Sequence, residues 1–406
     1  MDQTEALIIE TIDRHREEIL EFARDIYSHA ELGYKEFQTS GKFVKKMEQL
    51  GLRTEKGFAI TGVKAYLNED KKENASLALL GELDALRIPE HAFANPETNA
   101  AHCCGHHAQM AGVFGAALAL TVPEIAEKLD GQVVFFATPA EEYGEIEFKN
   151  QLREQGKIRY GGGKCELLRI GAFDDIDLCL THHIRPGNEI LVGSGTGNGF
   201  VSKVIRVLGK ASHAAGAPEK GVNALSAASL GLQALGLNRE TFRDEDCVRV
   251  HPIITKGGNL VNVIPDEVVV ETLVRGKTIE AFTDAAKKTD RSFKAGAIAM
   301  GAKVEISTLP GYLPTLAEEA LPELKHAAEI SASGIPVIEA SGHAGGSTDV
   351  GDVQHLMPVY TFNTGGVKGG LHQIDFEVTD EEEAYIVTAK MFALAAYGLL
   401  KEKAQR

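Results

Sequence analysis

Two short runs without polar interruption, Leu77-Ala78-Leu79-Leu80 and Val133-Val134-Phe135-Phe136, constrain the fold of this chain more than any other feature. Apolar residues that do not alternate over four positions suit strands buried on both faces, as in the parallel core of an α/β sheet. Each run leads into a polar stretch and then a helical pattern. Ile176 to Leu180 and Pro358 to Phe362 repeat the arrangement, while Val63 to Leu67 alternates as a half-buried strand. Ahead of them Ile12, Ile19, Phe22 and Ile26, then Val44, Met47 and Leu50, recur at helical spacing and predict two amphipathic helices. The expected class is α/β, with a central mixed sheet flanked by helices.

The texture changes between residues 188 and 309. Val201 to Leu208 reads as a strand, Gly221 to Leu237 as a helix, Val248 to Ile254 and Glu267 to Val274 as strands, Ile279 to Met300 as a helix and Lys303 to Ser307 as a strand. That order, β-α-β-β-α-β, is the ferredoxin-like α+β unit. It reads as an insertion dividing the first domain into residues 1–187 and 310–406, the latter closing with a helix from Asp380 to Leu400. A chain of 406 residues, 44% hydrophobic and 25% charged, suits two such domains.

A formal charge of −16 argues against nucleic acid and anionic membranes as partners and leaves small molecules. The N-terminus lacks the basic and apolar regions of a signal peptide, and no apolar stretch reaches the ~20 residues of a membrane span. Five cysteines, an odd number with Cys103 and Cys104 adjacent, suit a reducing, cytoplasmic location better than a disulfide framework. Cys165, Cys179 and Cys247 read as small buried hydrophobes.

His102-Cys103-Cys104-Gly105-His106-His107 packs imidazoles and thiols together immediately before an apolar helical run, Met110 to Leu118. Isolated His or Cys residues are ordinary core or surface groups, but this cluster has company: Glu141-Glu142, His182-His183, His213 and His372. Carboxylate and imidazole recurring after successive strands suit one or two divalent ions in a crevice at the carboxyl edge of a sheet. Zinc fingers draw their ligands from one short segment, so the spacing excludes them.

These residues carry a resemblance. Gly81-Glu82-Leu83-Asp84-Ala85-Leu86, His102 to His106, Thr138-Pro139-Ala140-Glu141-Glu142, Gly209 to Ala215, Asn262-Val263-Ile264-Pro265, Gly346-Ser347-Thr348-Asp349 and Leu371-His372 occur in order along nearly the whole chain. Together they resemble the metallo-amidohydrolases related to hippurate hydrolase, aminobenzoyl-glutamate hydrolase, the indole-acetyl-amino-acid hydrolases and aminoacylase. The resemblance implies that Cys104 bridges two divalent ions, Mn²⁺ or Zn²⁺ first and Co²⁺ or Ni²⁺ as alternatives. His106 and His183 complete one ion, Glu142 and His372 the other. His183 is preferred to His182 because it stands three residues before Pro186, as the family's histidine does before its proline. Glu141 is implied as general base and Asp84 as the acid that orients a ligand.

The same resemblance makes the inserted domain a lid through which two copies dimerise, with His213 reaching the neighbouring active site. Asn262 and Arg275 are implied as holders of a substrate carboxylate. Several positions depart from the family pattern. His107 stands where an acid is usual, which implies an altered substrate wall, and Gln109 replaces a histidine. Glu82 stands where broader relatives carry a metal-binding histidine. A charged, helix-capable stretch from Tyr143 to Tyr160 replaces a short glycine-rich turn and is expected to wall the cleft. The expected activity is hydrolysis of the amide of a small carboxylate-bearing molecule, an N-acyl or N-aroyl amino acid. Two alternatives are hydrolytic deamination of an aromatic amino-carboxylate and noncatalytic binding of metal or ligand.

Overall fold

The computed structural model describes residues 1–332 and 334–401. These divide into two compact units. The first comprises Met1–Gly195, Leu316–Gly342 and the chain from Asp352 on, and the second Thr196–Thr315 with His343–Gly351. The second unit thus begins and ends later than the 188–309 read from the sequence. It also takes in His343–Gly351, because His343–Ala344 pairs in parallel with Thr196–Gly197.

The first unit is built on an eight-stranded mixed sheet. Its strands are β1 (Arg53–Phe58), β2 (Gly62–Leu67), β3 (Ser76–Glu82), β4 (Gln132–Thr138), β5 (Leu178–Ile184), β6 (Ile190–Val192), β7 (Val337–Glu339) and β8 (Val359–Thr364), in the order β1-β2-β4-β3-β5-β8-β6-β7. The central four, β4-β3-β5-β8, are mutually parallel, and every residue of β3 and β4 is buried, as their uninterrupted apolar runs require. The helix His106–Leu120 is apolar all round and buried along its whole length, packed against β3 and the terminal helix Thr388–Leu400.

Three readings of the sequence change. The opening segment forms three helices, because the backbone leaves helical geometry at His15 between Gln3–Arg14 and Arg16–Ser28, and Phe37–Gln49 follows. β5 starts later than the apolar run suggests and extends through His182 and His183, so strand alternation sends those two rings to opposite faces. The terminal stretch Glu382–Leu400 is after all long and apolar enough to cross a membrane, but most of it is buried in the core of this unit.

The second unit is an antiparallel sheet in which Glu267–Gly276 lies between Gly199–Leu208 and the pair Arg249–Val250 and Ile253–Lys256, with Lys303–Pro310 on the far side of Gly199–Leu208. Helices Ala224–Leu237 and Ile279–Ala299 pack on each other and on the sheet around Phe293, Val268, Val270 and Ile205. Strand order and direction are those of the ferredoxin-like unit. None of the five cysteines forms a disulfide, and Cys247 is only half-buried.

Candidate metal centre

The carboxyl ends of the four parallel strands deliver the candidate residues to one place. Glu82 ends β3 and Asp84 follows it, β4 ends just before Glu141-Glu142, His183 lies in the last turn of β5, and β8 leads into the loop carrying His372. A strand order that places β4 and β5 on either side of β3 opens a crevice at those ends. Cys104 enters from the N-terminus of the helix His106–Leu120. Its neighbour Gly105 caps that helix with φ 84°, where a Cβ would stand 2.0 Å from Ile184 Cγ2. Only glycine meets both conditions.

Two groups of ligand atoms share the Cys104 sulfur. Cys104, His106 and His183 offer atoms within 4.8 Å of one another, as do Cys104, Glu142 and His372. The sulfur lies 3.2 Å from His183 Nε2 and 3.3 Å from His372 Nε2, and Glu142 Oε1 is 3.1 Å from His372 Nε2. His106 turns Nδ1 to the Asp84 backbone carbonyl at 2.9 Å, and His183 turns Nδ1 to that of Ile184 at 2.7 Å. A carbonyl accepts only from N–H, so each ring keeps an Nε2 lone pair for the cluster. His106 Nε2 and Glu142 Oε1 are buried and make no well-directed hydrogen bond, with ion-pair contacts at 3.1 Å to Glu82 Oε2 and His372 Nε2 respectively.

Electrostatics points the same way. Burial pushes the Cys104 thiol up, and the Glu142 charge adds to it. Burial also disfavours the charged form of Glu142, but the His372 ring outweighs it and holds the carboxyl below its ordinary value. Burial depresses His183. His106 is raised in spite of its burial, by Glu82 and the sulfur. Four carboxylates and a sulfur crowded around three imidazoles amount to an excess of acceptors, which a cation would neutralise. Nitrogen, oxygen and sulfur donors, two of them buried without a well-directed hydrogen bond, fit a pair of divalent ions.

Glu141 stands beside this pair rather than within either group that shares Cys104. It is buried, with Oε2 4.0 Å from His106 Nε2, and forms a third acidic group with Glu82 and His106. Glu82 is already engaged: Oε1 meets Lys164 Nζ at 2.5 Å, and Oε2 meets Gln109 Nε2 at 2.7 Å and His106 Nε2 at 3.1 Å. Burial opposes its charge, but Lys164 and His106 hold it down at about 2. Asp84 does more than orient a ring, since Oδ2 also accepts from the Glu142 amide at 2.9 Å. Ala140 has φ 50°. Its N–H is held by Glu36 Oε1 at 2.8 Å, and its carbonyl accepts from Gly163 N–H at 3.0 Å.

The remaining expected residues fall elsewhere. His182 points away from the centre into the core beside Phe362, bonded to Thr364 Oγ1 at 2.8 Å. His107, expected to meet substrate, is fully buried between Tyr27 and His102, with Nε2 3.1 Å from the Tyr385 hydroxyl. One position further round the helix than His106, it faces the core, and burial pushes it down to about 3. In the second unit His213 is exposed and accepts the Ala215 and Gly216 amides at Nδ1, and it pairs with Val263 next to the exposed Asn262. Arg275 lies at the far end of the strand Glu267–Gly276, bonded to Ser347 Oγ at 3.1 Å and set over the Phe200 ring. Eight residues of extended chain, roughly 26 Å, part it from the Asn262 end, so within this chain Asn262 and Arg275 do not grip the same carboxylate.

The sequence reading missed Lys164, Glu36 and the hydrogen-bonding role of Gln109. A lysine directly after Gly161-Gly162-Gly163 was the one available signal, since glycines let a helix start close against a strand end.

Residues 78–397 match the family described as peptidase family M20/M25/M40. Among curated proteins the chain is similar to the Xaa-Arg dipeptidase of Mus musculus, 27% identical over 97% of this chain and 85% of that protein. It is also similar to the N-acetylcysteine deacetylase of Bacillus subtilis (strain 168), 26% identical over 94% and 97% of the two chains. Among solved structures, a Bacillus subtilis protein described as a dinuclear metal-binding peptidase of family M20 superposes with a TM-score of 0.66 at 24% identity. It covers 96% of this chain and 99% of its own.

Proposed function

Because this chain belongs to peptidase family M20/M25/M40, a family of amide- and peptide-bond hydrolases, we propose that it cleaves the amide of a small carboxylate-bearing substrate. An N-acyl or N-aroyl amino acid, or a compound like aminobenzoyl-glutamate, is the substrate class. One observation carries the reading: a single sulfur, Cys104 Sγ, belongs to both ligand groups, and Glu141 lies against them.

His106 and His183 would hold one divalent ion, Glu142 and His372 the other, with Cys104 between; Mn²⁺ or Zn²⁺ is the assignment, Co²⁺ or Ni²⁺ the substitutes. Such ions, when bound, supply an acidified water and polarise the scissile carbonyl. Glu141 takes the proton of that water and returns it to the leaving nitrogen. Asp84 fixes the His106 ring and the Glu142 backbone, and Lys164 offsets the charge of Glu82 beside His106.

The substrate carboxylate goes to Arg275, whose planar donors suit it. The reaction is proposed to run in a homodimer formed through the second unit, in the cytoplasm. The exposed edge strand Ile253–Lys256 and the exposed Leu260 and Val261 support such an interface, as does the outward placement of His213 and Asn262 for a partner's site.

Glu141→Gln should keep metal and lose about 10²- to 10⁴-fold in turnover, whereas Cys104→Ala and His372→Ala lose metal as well. Mass spectrometry of products separates a free amino acid from ammonia. Wild-type turnover in Glu141→Gln, or ammonia as the sole product from an aminobenzoate, would overturn the proposal.

A further inference from the structure

The stretch that replaces the glycine-rich turn after Glu142 does not lie loose on the surface. Its helix, Ile146–Glu154, turns Lys149 back so that Nζ donates to the Glu142 carbonyl at 2.6 Å. The side chain is 3% exposed, and the ammonium sits 5.7 Å from the Tyr34 ring and 5.2 Å from the Tyr143 ring. A desolvated ammonium is costly unless its partners are fixed, so a helix serving only as surface decoration would not be expected to bury one. The helix is fastened at its start by Lys35, which meets both Glu145 oxygens at 2.9 Å, and the stretch is fastened at its end by the Tyr34 hydroxyl on the Tyr160 carbonyl at 3.0 Å.

Lys149 completes a set. The backbone around the glutamate pair is held at the Ala140 N–H by Glu36, at the Ala140 carbonyl by Gly163, and at the Glu142 N–H by Asp84. The Glu142 carbonyl is the remaining outward group of that residue, and the inserted helix supplies its partner. With the peptides on both sides of the Glu142 Cα held, the direction in which its side chain leaves the backbone is set.

We propose that the inserted helix belongs to the scaffold of the metal centre, and that Lys149 is a positioning residue setting the affinity for the ion held by Glu142, His372 and Cys104. This rests on the two-ion reading above. It makes the two sites unequal in their dependence on the insertion, since neither His106 nor His183 is hydrogen-bonded to it.

Cobalt(II) is the probe, titrated into chelator-stripped full-length protein with a competing indicator, while cobalt–thiolate absorption reports on Cys104. Wild type should bind two ions. Lys149→Met keeps the apolar stem and removes the donor; it should weaken one site about ten- to a hundred-fold, leave the other unchanged and alter the thiolate band. Lys149→Arg should restore part of the loss. Glu145→Gln, which cuts only the tether to Lys35, should change neither site by more than about twofold. Lys149→Gln is prepared in parallel and decides the matter if the methionine variant unfolds. Two wild-type affinities and an unaltered band in the folded variant overturn the role of Lys149 and leave the two-ion reading standing. A wild-type protein that binds no cobalt overturns both.

Discussion

Replacing Lys164 by methionine strips a buried carboxylate of its cation. Lys164 is fully buried with Nζ 2.5 Å from Glu82 Oε1, and Glu82 is 3% exposed. Holding Glu82 at about 2 against an ordinary 4.5 corresponds to roughly 3 kcal/mol, net of burial and shared among Lys164, His106 and His183. Removing one partner of a buried pair costs about 3–5 kcal/mol, because the other charge is stranded. The sign follows from the depressed value: this stability is fully present above pH 4.5 and is lost as the pH falls towards 2. Lys164→Met should therefore lose about 3–5 kcal/mol at pH 7 in urea unfolding of metal-free protein, and its deficit should shrink in acid. Adding Glu82→Gln to it should recover most of the loss, since a neutral amide no longer needs the cation. A deficit below about 1 kcal/mol at pH 7, or one independent of pH, would refute the argument.

Glu36 behaves in the opposite sense: burial first, and the Asp84 carboxylate second, push it up to about 7. Its contribution is full below 4.5 and is lost as the pH rises through about 7, so metal-free wild type should lose roughly 3 kcal/mol across that window from this group. Glu36→Gln, still able to accept from the Ala140 amide and donate to Thr61, should flatten the slope in urea midpoints measured from pH 4 to 8; an unchanged slope would reassign it. Gly105→Ala should cost about 2–5 kcal/mol, combining left-handed strain with a clash on Ile184, and should weaken cobalt binding by displacing Cys104. Calorimetric unfolding within about 1 kcal/mol of wild type would show that the loop yields there.

What was legible in the sequence was whatever repeats locally. The runs around Leu79 and Phe135 marked strands because burial on both faces leaves no polar position, and the second unit followed from its alternating β and α periods. The clustering of Glu142, His183 and His372 was reachable because each follows or ends a strand that could be recognised, and that of Cys104 and His106 because they open an apolar helical run. Groups whose meaning depends on a distant partner left no such trace. Lys164 and Glu82 are 82 positions apart and Glu36 and Ala140 are 104 apart, so nothing in either neighbourhood announces the other. His107 failed for a related reason: adjacent residues on a helix point about 100° apart, and a motif fixes identity without fixing which face meets the core. Asn262 and Arg275 looked close in number, yet eight residues of extended strand part Arg275 from the strand end nearer Asn262.

The sulfur at 104 and the ring at 372 are 268 positions apart, with the whole second unit threaded between them. During synthesis the interposed unit has nearly its full complement of strands and helices, and is free to fold, while the group Cys104, Glu142 and His372 still lacks its histidine and the group Cys104, His106 and His183 is already complete. Capture of the ion proposed for Glu142 and His372 would consequently be a late event in the life of the nascent chain. A ribosome stalled anywhere before the loop after β8 leaves a partly built sheet that holds an unpaired thiol and lacks one of its imidazoles.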